Sequence, residues 1–233
     1  KVTEIAQFRG TVTVAAGVTD LYKADACICT APIASLRKIK FDPALPAAQA
    51  AAAEKLSYSR IIKNSVLFEE RFWKAENFSM VTDTASHYYF HSTQNQPGTQ
   101  GILTAYAVGD KADVLASQED ARRQVIVARD LIDYNWSAPN LARGIASYAW
   151  QRDEFTRGAY ALYGPGEWFT LRPALSRPHL KVLFAGEHIA DHHDSQQIRV
   201  GVGHEPTRTT STCTWFPPSE VYFAISGRAM STM

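Results

Sequence analysis

Residues 182–188 read Val-Leu-Phe-Ala-Gly-Glu-His, a short apolar run that ends at Gly186 and Glu187. The run predicts a buried strand, and the glycine predicts a tight turn directly after it. A glycine at the end of such a strand lets the backbone approach a phosphate group closely, because no side chain stands in the way. This stretch is therefore the first candidate binding site.

Upstream of this stretch, the first third of the chain predicts strands separated by turns. Thr and Val alternate over residues 10–15, and residues 24–30 form an apolar run. The pattern is typical of a small meander that leads into a buried strand. Cys27 and Cys29 would point to one face of that strand. Together with the remote Cys213 they are expected to be reduced packing residues.

A second long strand contains one conspicuous charge. Residues 47–56 are rich in alanine and predict a short helix, after which residues 61–68 are apolar except for Lys63. A lysine inside such a strand extends its ammonium to solvent, pairs with a carboxylate, or is held with a lowered pKa where an amine is useful. The sequence leaves these three alternatives open.

The middle of the chain predicts further strands and then a covering helix. Aromatic and β-branched residues favour strands over 78–106, with a connecting turn at 94–100. A helix is predicted from Lys111 to Asp133, with polar residues on its outer side. The apolar stripe expected to pack it against the sheet consists of Ala121, Val125, Ala128 and Ile132.

Composition and charge exclude several classes of protein. The 233 residues include 24 Lys and Arg against 23 Asp and Glu, which gives a formal net charge of +1. This balance argues against a nucleic-acid or anionic-membrane binder, since both need a concentrated basic face. No apolar run approaches the roughly 20 residues of a membrane span. We expect small-molecule or protein partners, no nucleic acid and no membrane span.

The start of the chain, Lys-Val-Thr-Glu-Ile, has neither an initiator Met nor a signal segment. This favours a mature or cut product. Its localisation, cytoplasmic or secreted, stays open.

A cluster of histidines and aspartates follows the first candidate site. His188 and His192 are four residues apart and would share one face of a helix, as metal ligands do. No third ligand lies on that face, and helix capping with solvation explains Asp191, His193 and Asp194 equally well. We therefore expect no bound metal.

Four blocks, taken in order, resemble the C-terminal half of the flavin-dependent amine oxidase family, which includes monoamine, polyamine and L-amino acid oxidases. The third contains Gly158-Ala159-Tyr160, and the fourth is similar to the family's Phe-Ala-Gly-Glu signature. The second places Lys63 in a strand ahead of a Phe-Trp pair. The resemblance covers roughly residues 1–194. The blocks are residues 24–46, 58–73, 150–166 and 182–188.

The resemblance implies a mixed α/β (α+β) fold. A largely antiparallel sheet of the substrate domain with covering helices would be joined to part of an FAD-binding domain. The implied domains are a partial FAD-binding meander at 1–34, a substrate-binding domain at 35–145, a substrate-domain strand with the FAD-binding strand and turn at 146–194, and a divergent tail at 195–233.

The resemblance also implies catalytic roles for Lys63 and Tyr160. In the family, the corresponding lysine holds a water near flavin N5 and assists reoxidation by oxygen. Tyr160 would be one wall of an aromatic cage that steers the amine nitrogen through cation–π attraction of about 0.5–2 kcal/mol. Trp150 would pack near the cofactor. Without the resemblance, both aromatic residues would be interpreted as core residues.

Further cofactor contacts are implied for residues at the two ends of the matched region. Gly186 and Glu187 would meet the ribityl and pyrophosphate part of FAD, Ala185 would fill the space between them, and the Val2 backbone would meet the adenine. Glu187 has an alternative as a structural residue at a helix start, because a carboxylate beside a pyrophosphate needs hydrogen-bond donors elsewhere.

The sequence departs from the family in two places. It contains no Gly-x-Gly-x-x-Gly motif, and residues from Ser195 onward do not resemble the family's tail. We therefore expect part of an FAD-dependent oxidase that converts an L-amino acid or amine to an imine or keto acid, ammonia and hydrogen peroxide. An N-terminal partner chain or a homo-oligomer would supply the rest. The alternatives are a truncated, non-catalytic module and a small metallohydrolase built on residues 188–194.

Overall fold

The computed structural model describes residues 1–190, which form two compact units. The first unit contains residues 1–57 and 160–190, and the second contains residues 58–159. The boundaries expected from the sequence between the FAD-binding and substrate-binding domains, at 34/35 and 145/146, stay predictions. The expected tail at 195–233 lies outside the described residues.

The elements alternate between strands and short helices. The strands are β1 Val2–Phe8, β2 Thr11–Ala16, β3 Asp20–Ala24, β4 Cys27–Cys29, β5 Lys40–Asp42, β6 Ser57–Tyr58, β7 Ile61–Phe68, β8 Ser79–Val81, β9 Tyr88–His91, β10 Gly101–Val108, β11 Ala142–Ala149, β12 Ala161–Leu162 and β13 Val182–Phe184. The helices are α1 Ile33–Leu36, α2 Ala47–Lys55, α3 Gly109–Ala116, α4 Asp120–Arg129, α5 Ala138–Leu141, α6 Glu167–Thr170 and α7 Arg172–Leu175. Short 3₁₀ turns occupy Trp150–Arg152 and Glu187–Ile189.

Among the described residues, two small sheets lie wholly within the first unit. One has the strand order β3-β2-β1-β5, in which the first three strands form the antiparallel meander predicted from the alternating Thr and Val residues. The other pairs β13 with β4 in parallel, so that Val182 lies opposite Cys27 and Phe184 opposite Cys29. The apolar run at residues 182–184 is therefore a buried strand, as predicted.

The cysteines of β4 are buried and reduced. Burial raises the pKa of Cys27 to about 12 and that of Cys29 to about 11, because a thiolate is poorly solvated there. Both are packing residues, as expected. Cys213 lies outside the described residues.

The predicted alanine-rich helix is α2. Its C-terminal end is capped by Arg37, whose guanidinium donates hydrogen bonds to the carbonyls of Ala53 at 2.7 Å, Glu54 at 2.9 Å and Leu56 at 2.7 Å. The last carbonyls of a helix lack partners within the helix, and a cation there is also attracted to the negative end of the helix dipole. This explains how a short helix that follows the Pro43–Pro46 turn ends stably at Lys55.

The second unit is built on one antiparallel sheet with the strand order β11-β7-β10-β9-β8. The prediction of a mixed fold with a largely antiparallel sheet is confirmed. The even-numbered residues of β7 are buried against the core, whereas Lys63 on the alternate face is exposed. We call the face that carries Lys63 the open face.

Two helices, not one, cover the buried face. The predicted helix from Lys111 to Asp133 is wrong in its continuity, because α3 ends at Ala116 and α4 begins at Asp120. Of the predicted stripe, Ala128 is buried as expected, whereas Val125 and Ile132 are 44% and 47% exposed and Ala121 is also exposed. The buried residues on this side are Val127, Ala128 and Leu131.

The reason for the different stripe is the end of α4 and its anchor to the sheet. Ile132 lies in a turn beyond Arg129, so a helical spacing from Val125 does not extend to it. The buried hydroxyl of Tyr89 donates a hydrogen bond of 2.8 Å to the Val127 carbonyl. This contact turns the Val127 side of α4 toward the sheet.

No helix among residues 1–190 is long and apolar enough to cross a membrane.

Candidate active site

Lys63 lies in the middle of β7 between two tyrosines of neighbouring strands. In the sheet register it is opposite Tyr106 of β10 and opposite Tyr148 of β11. Its Nζ atom is 5.9 Å from the centroid of the Tyr106 ring, near the outer limit of a cation–π contact. Among the described residues, Lys63 makes no ion pair with a carboxylate. Of the three alternatives for this lysine, the carboxylate pair is therefore excluded within residues 1–190, and its ammonium extends from the open face.

The hydroxyl of Tyr148 is hydrogen-bonded to an acidic side chain. Its hydroxyl donates a hydrogen bond of 2.7 Å to Oδ2 of Asp153. The other oxygen, Oδ1, accepts hydrogen bonds from the backbone N–H of Phe155 at 2.9 Å and of Thr156 at 2.8 Å. The pKa of Asp153 is lowered, first by the Tyr148 hydrogen bond and then by the Thr156 amide, so the carboxylate is charged.

Trp150 lies beside Tyr148 on the turn that follows β11. The two rings meet edge to face with centroids 4.6 Å apart. Trp150 is half-buried, and it reaches the neighbourhood of Lys63 through Tyr148. Tyr148 thus lies between Lys63 and Trp150. The sequence analysis selected Lys63 and Trp150 separately and did not select Tyr148.

The Gly158-Ala159-Tyr160 block marks a close approach of two backbones. A Cβ at Gly158 would lie 2.5 Å from Cβ of Tyr58 and 2.9 Å from the carbonyl oxygen of Ser59, and no side chain fits there. The Ala159 N–H donates to that same carbonyl at 3.0 Å. Tyr160 itself is 41% exposed and opens the second stretch of the first unit.

In the first unit, Gly186 forms a turn directly beyond the end of β13. Its φ angle is +134°, which side chains rarely tolerate. Ala185 before it is buried, and its N–H donates to the Cys29 carbonyl at 3.0 Å, which continues the ladder with β4. The backbone therefore leaves a parallel strand pair at its carboxyl end, where ligands of open α/β sheets bind.

The Glu187 carboxylate is hydrogen-bonded to the chain, although the residue remains exposed. Its two oxygens accept hydrogen bonds from the Ala161 N–H at 3.1 and 3.2 Å. Partial burial raises the pKa of Glu187, and the Ala161 hydrogen bond offsets part of that rise. Glu187 also begins the 3₁₀ turn Glu187–Ile189. Its local position therefore matches the alternative of a structural residue at a helix start.

His188 supports this turn from within the first unit. The residue is buried, and burial lowers its pKa to about 4, because a charged imidazolium would lose its solvation there. The hydroxyl of Tyr163 donates a hydrogen bond to the His188 carbonyl, and Nε of Arg172 donates to the Ile189 carbonyl at 3.1 Å. The backbone after Gly186 is thus fixed by side chains of the same unit.

Val2 lies in β1 of the first unit and is half-buried. It pairs with Ala16, next to an irregularity of the ladder between Val2 and Glu4. The metal alternative depends on residues 191–194 as well as His188, and those four residues lie outside the described part of the chain.

Comparison with known families agrees with this arrangement. The family model for flavin containing amine oxidoreductases matches residues 1–199, most of the chain. The chain belongs to this family. The resemblance drawn from the four sequence blocks is therefore confirmed, and the cofactor of the family is FAD, as that resemblance implied.

The relatives of this amine oxidoreductase chain include L-amino-acid oxidases. One from Siganus canaliculatus is 27% identical over 206 residues, which are 83% of this chain and 39% of that protein. One from Bothrops jararacussu is 26% identical over 173 residues, which are 71% of this chain and 35% of that protein. The chain thus spans between a third and two fifths of the length of these relatives.

Solved structures show the same fold. Putrescine oxidase bound to putrescine matches with a TM-score of 0.73 at 22% identity, over 81% of this chain and 43% of that one. Cyclohexylamine oxidase from Brevibacterium oxydans matches with a TM-score of 0.70 at 20% identity, over 80% of this chain and 42% of that one. At this identity, the likeness concerns the fold.

The residues of the turn at Gly186 fit a dinucleotide cofactor. The parallel pair β13 and β4 ends there, and Gly186 presents backbone without a side chain. A Cβ at this position would clash with the His188 ring, at 2.8 Å from Cε1, so the turn must keep a bare backbone here. This is the kind of backbone at which an extended phosphate-bearing chain can lie closely.

Sequence reasoning missed the two tyrosines beside Lys63. Tyr106 and Tyr148 are ordinary strand aromatics in the sequence, and only the strand register places them opposite the lysine. A signal for Tyr148 was present two residues before Trp150, since alternate residues of a strand share a face. Asp153 had no sequence signal, because its role depends on the turn after β11.

Proposed function

We propose that this chain forms part of an FAD-dependent oxidase that deaminates an L-amino acid, with simple amines as the second substrate class. Membership of the amine oxidoreductase family supports oxidative deamination in general. The preference for L-amino acids rests on the L-amino-acid oxidases among its relatives. The single observation that carries the proposal is the exposed Lys63 ammonium between two tyrosines of the sheet.

Residues of the first unit would hold the cofactor. The backbone at Gly186 would lie against the ribityl and pyrophosphate part of FAD, and Ala185 would fix that turn through its hydrogen bond to Cys29. Val2 would meet the adenine with its backbone. The chemistry that bound FAD supplies is acceptance of hydride from the carbon bearing nitrogen and delivery of the electrons to oxygen, which leaves as hydrogen peroxide.

Glu187 would support this site without repelling it. The hydrogen bonds from the Ala161 N–H hold the carboxylate against its own unit. The electrostatic cost of a carboxylate near a phosphate is smaller when the carboxylate already accepts a hydrogen bond than when it has no donor.

Residues of the second unit would serve the reacting groups. An ammonium has three donors and no acceptor, so Lys63 Nζ can hold a water molecule through one N–H while it keeps its proton. Trp150 and Tyr148 would exclude bulk water on one side of that position. By the family resemblance, Tyr160, which belongs to the first unit, would direct the substrate amine with its ring face, where a partly positive nitrogen is attracted.

The test of this proposal begins with the protein isolated from its native source, so that any accompanying chain is retained. Intact mass and absorbance identify the chains present and any bound flavin. Peroxide release is then compared for a panel of L-amino acids, their D-enantiomers, and putrescine-like diamines. A flavin absorbance band with peroxide from L-amino acids supports the proposal. A colourless preparation that releases no peroxide from any substrate would instead support the non-catalytic module.

A further inference from the structure

Two asparagines of the chain stand in the triplet Asn-x-Ser, which is the acceptor sequence of N-linked glycosylation. The triplets are Asn77-Phe78-Ser79 and Asn135-Trp136-Ser137. A glycan is bulky and hydrophilic, so an acceptor asparagine has to lie at the surface of the folded chain with open space around its amide. The surroundings of the two asparagines differ in this respect.

The side chains of Asn77 and Ser79 are both available at the surface. Each residue is exposed, and neither side chain makes a hydrogen bond or an ion pair within residues 1–190. Phe78 between them is buried, and its ring centroid lies 6.3 Å from that of Trp73 and 5.0 Å from that of Tyr134. The anchored ring of Phe78 leaves the amide before it and the hydroxyl after it on the outside.

Asn77 lies at a turn that leads into an outer strand of the sheet. The Phe78 N–H donates to the Ala75 carbonyl at 3.0 Å, which closes this turn. The strand β8 follows at Ser79, and within residues 1–190 no other strand pairs with its outer edge. Val81 at the end of β8 is 80% exposed. The space beside the turn and the strand is therefore open to a glycan.

A glycan at this turn would also protect the sheet. An outer strand presents unpaired N–H and C=O groups that can pair with a strand of another molecule, and charged side chains commonly prevent this. The strand β8 consists of Ser79, Met80 and Val81 and contains no charged residue. A bulky hydrophilic group at the turn before β8 would cover the edge instead.

Asn135 is less suited to be an acceptor. It is half-buried, and its side-chain oxygen accepts hydrogen bonds from the Ser137 N–H at 2.9 Å and from the Ser137 hydroxyl at 2.6 Å. Its own N–H donates to the Leu131 carbonyl at 2.8 Å. The amide and the hydroxyl of this triplet are thus both used within the turn that precedes α5.

We propose that Asn77 is a modification site that carries an N-linked glycan, which covers the outer edge of β8. In the transfer, the Asn77 amide nitrogen forms a bond to the anomeric carbon of an oligosaccharide carried by a polyisoprenyl diphosphate. The bond between that carbon and the diphosphate oxygen breaks, the lipid diphosphate leaves, and the amide nitrogen releases one proton. The modification implies that the chain passes through the secretory route, and it is independent of the proposed oxidase function.

The experiment begins with the protein isolated from its native source. Peptide N-glycosidase in heavy-oxygen water converts a glycan-bearing asparagine to an aspartate that contains the heavy isotope, and mass spectrometry of fragments locates the label. Tryptic cleavage after Lys74 and Lys111 places Asn77 and Asn135 in different peptides. The expected result is a heavy label at position 77 in most molecules and an unlabelled asparagine at position 135.

Two matched variants test the triplet itself, in the full chain expressed through the secretory pathway of a eukaryotic cell. Ser79→Ala removes the hydroxyl of the acceptor triplet and keeps the Asn77 amide, so the intact mass should fall by one glycan. Ser79→Thr keeps a hydroxyl and should retain that glycan. Both changes are made at an exposed residue, so both variants are expected to fold.

Either of two results would overturn the proposal. One is a native protein from which the Asn77 peptide is recovered only in its unmodified form. The other is a glycan on the secreted chain that persists in Ser79→Ala. Neither measurement involves flavin or peroxide, so failure of the glycosylation proposal leaves the oxidase proposal standing, and failure of the oxidase proposal leaves the glycan measurable.

Discussion

An alanine Cβ at Gly186 would lie 2.8 Å from Cε1 and 2.9 Å from Nδ1 of His188. The imidazole of His188 therefore occupies the space that a side chain at position 186 would need. The φ angle of +134° at Gly186 adds a second reason for glycine. Glycine is thus required at position 186 by the packing and the backbone conformation of the turn itself.

Gly186→Ala is expected to destabilise the chain by about 2–4 kcal/mol, since backbone strain and a clash with a buried ring act together. Chemical denaturation followed by circular dichroism measures the change. Gly144→Ala is the control, because nothing lies within 4 Å of its Cβ and its φ is ordinary. The addition of His188→Ala to Gly186→Ala should remove the extra cost of the clash. Equal stability of the two glycine variants would contradict this account.

Stability should depend on pH through His188. Its pKa is about 4 in the folded chain against 6.5 for an ordinary histidine, so the unfolded chain binds more protons between these values. Stability is therefore lost as the pH falls from 6.5 toward 4, by up to about 3 kcal/mol. Glu187, whose pKa is raised, acts in the opposite direction, because its stabilisation is lost as the pH rises through that value.

The contribution of His188 is isolated by a difference. The free energy of unfolding is measured from pH 7 to pH 4 for the wild type and for His188→Gln, which cannot be protonated. The wild type should lose more stability over this interval. Parallel curves would show that His188 is not buried in its neutral form.

The buried side of α4 also makes a clear prediction. Val127→Ala should destabilise the chain by about 1–3 kcal/mol, because Val127 is fully buried in the core of the second unit. Val125→Ala, the matched change two residues earlier on the helix, should cost less than about 1 kcal/mol, since Val125 is 44% exposed. Thermal unfolding of the two variants measures the difference. A larger loss for Val125→Ala would restore the stripe predicted from the sequence.

The sequence predicted the strands and the short helix well where one pattern was unbroken. The apolar run at 61–68 and the alanines at 47–55 each produced the predicted element. The helix over 111–133 failed because Ser117 to Glu119 interrupt it, and the apolar spacing of Val125 and Ile132 crosses its end. Local periodicity carries no information on where a helix stops when no strong breaker is present.

The candidate site was predicted in part. Lys63 and the Gly186 turn are visible in the sequence because each breaks the pattern of its surroundings. Tyr106, Tyr148 and Asp153 are not, because their importance depends on strand register and on a turn that closes through Thr156. Register is a tertiary property, since it is set by the pairing of strands distant in sequence.

The most direct test of the proposed oxidase is peroxide release by Lys63→Met, measured with its preferred L-amino acid on protein prepared from the native source with its flavin. Lys74→Met is the matched control, because Lys74 is an exposed lysine of the same unit in a loop. The account predicts that Lys63→Met slows peroxide release by about 100-fold, as loss of a positioned proton-bearing group does, while Lys74→Met keeps the wild-type rate. Equal rates for the two variants would contradict the role of Lys63.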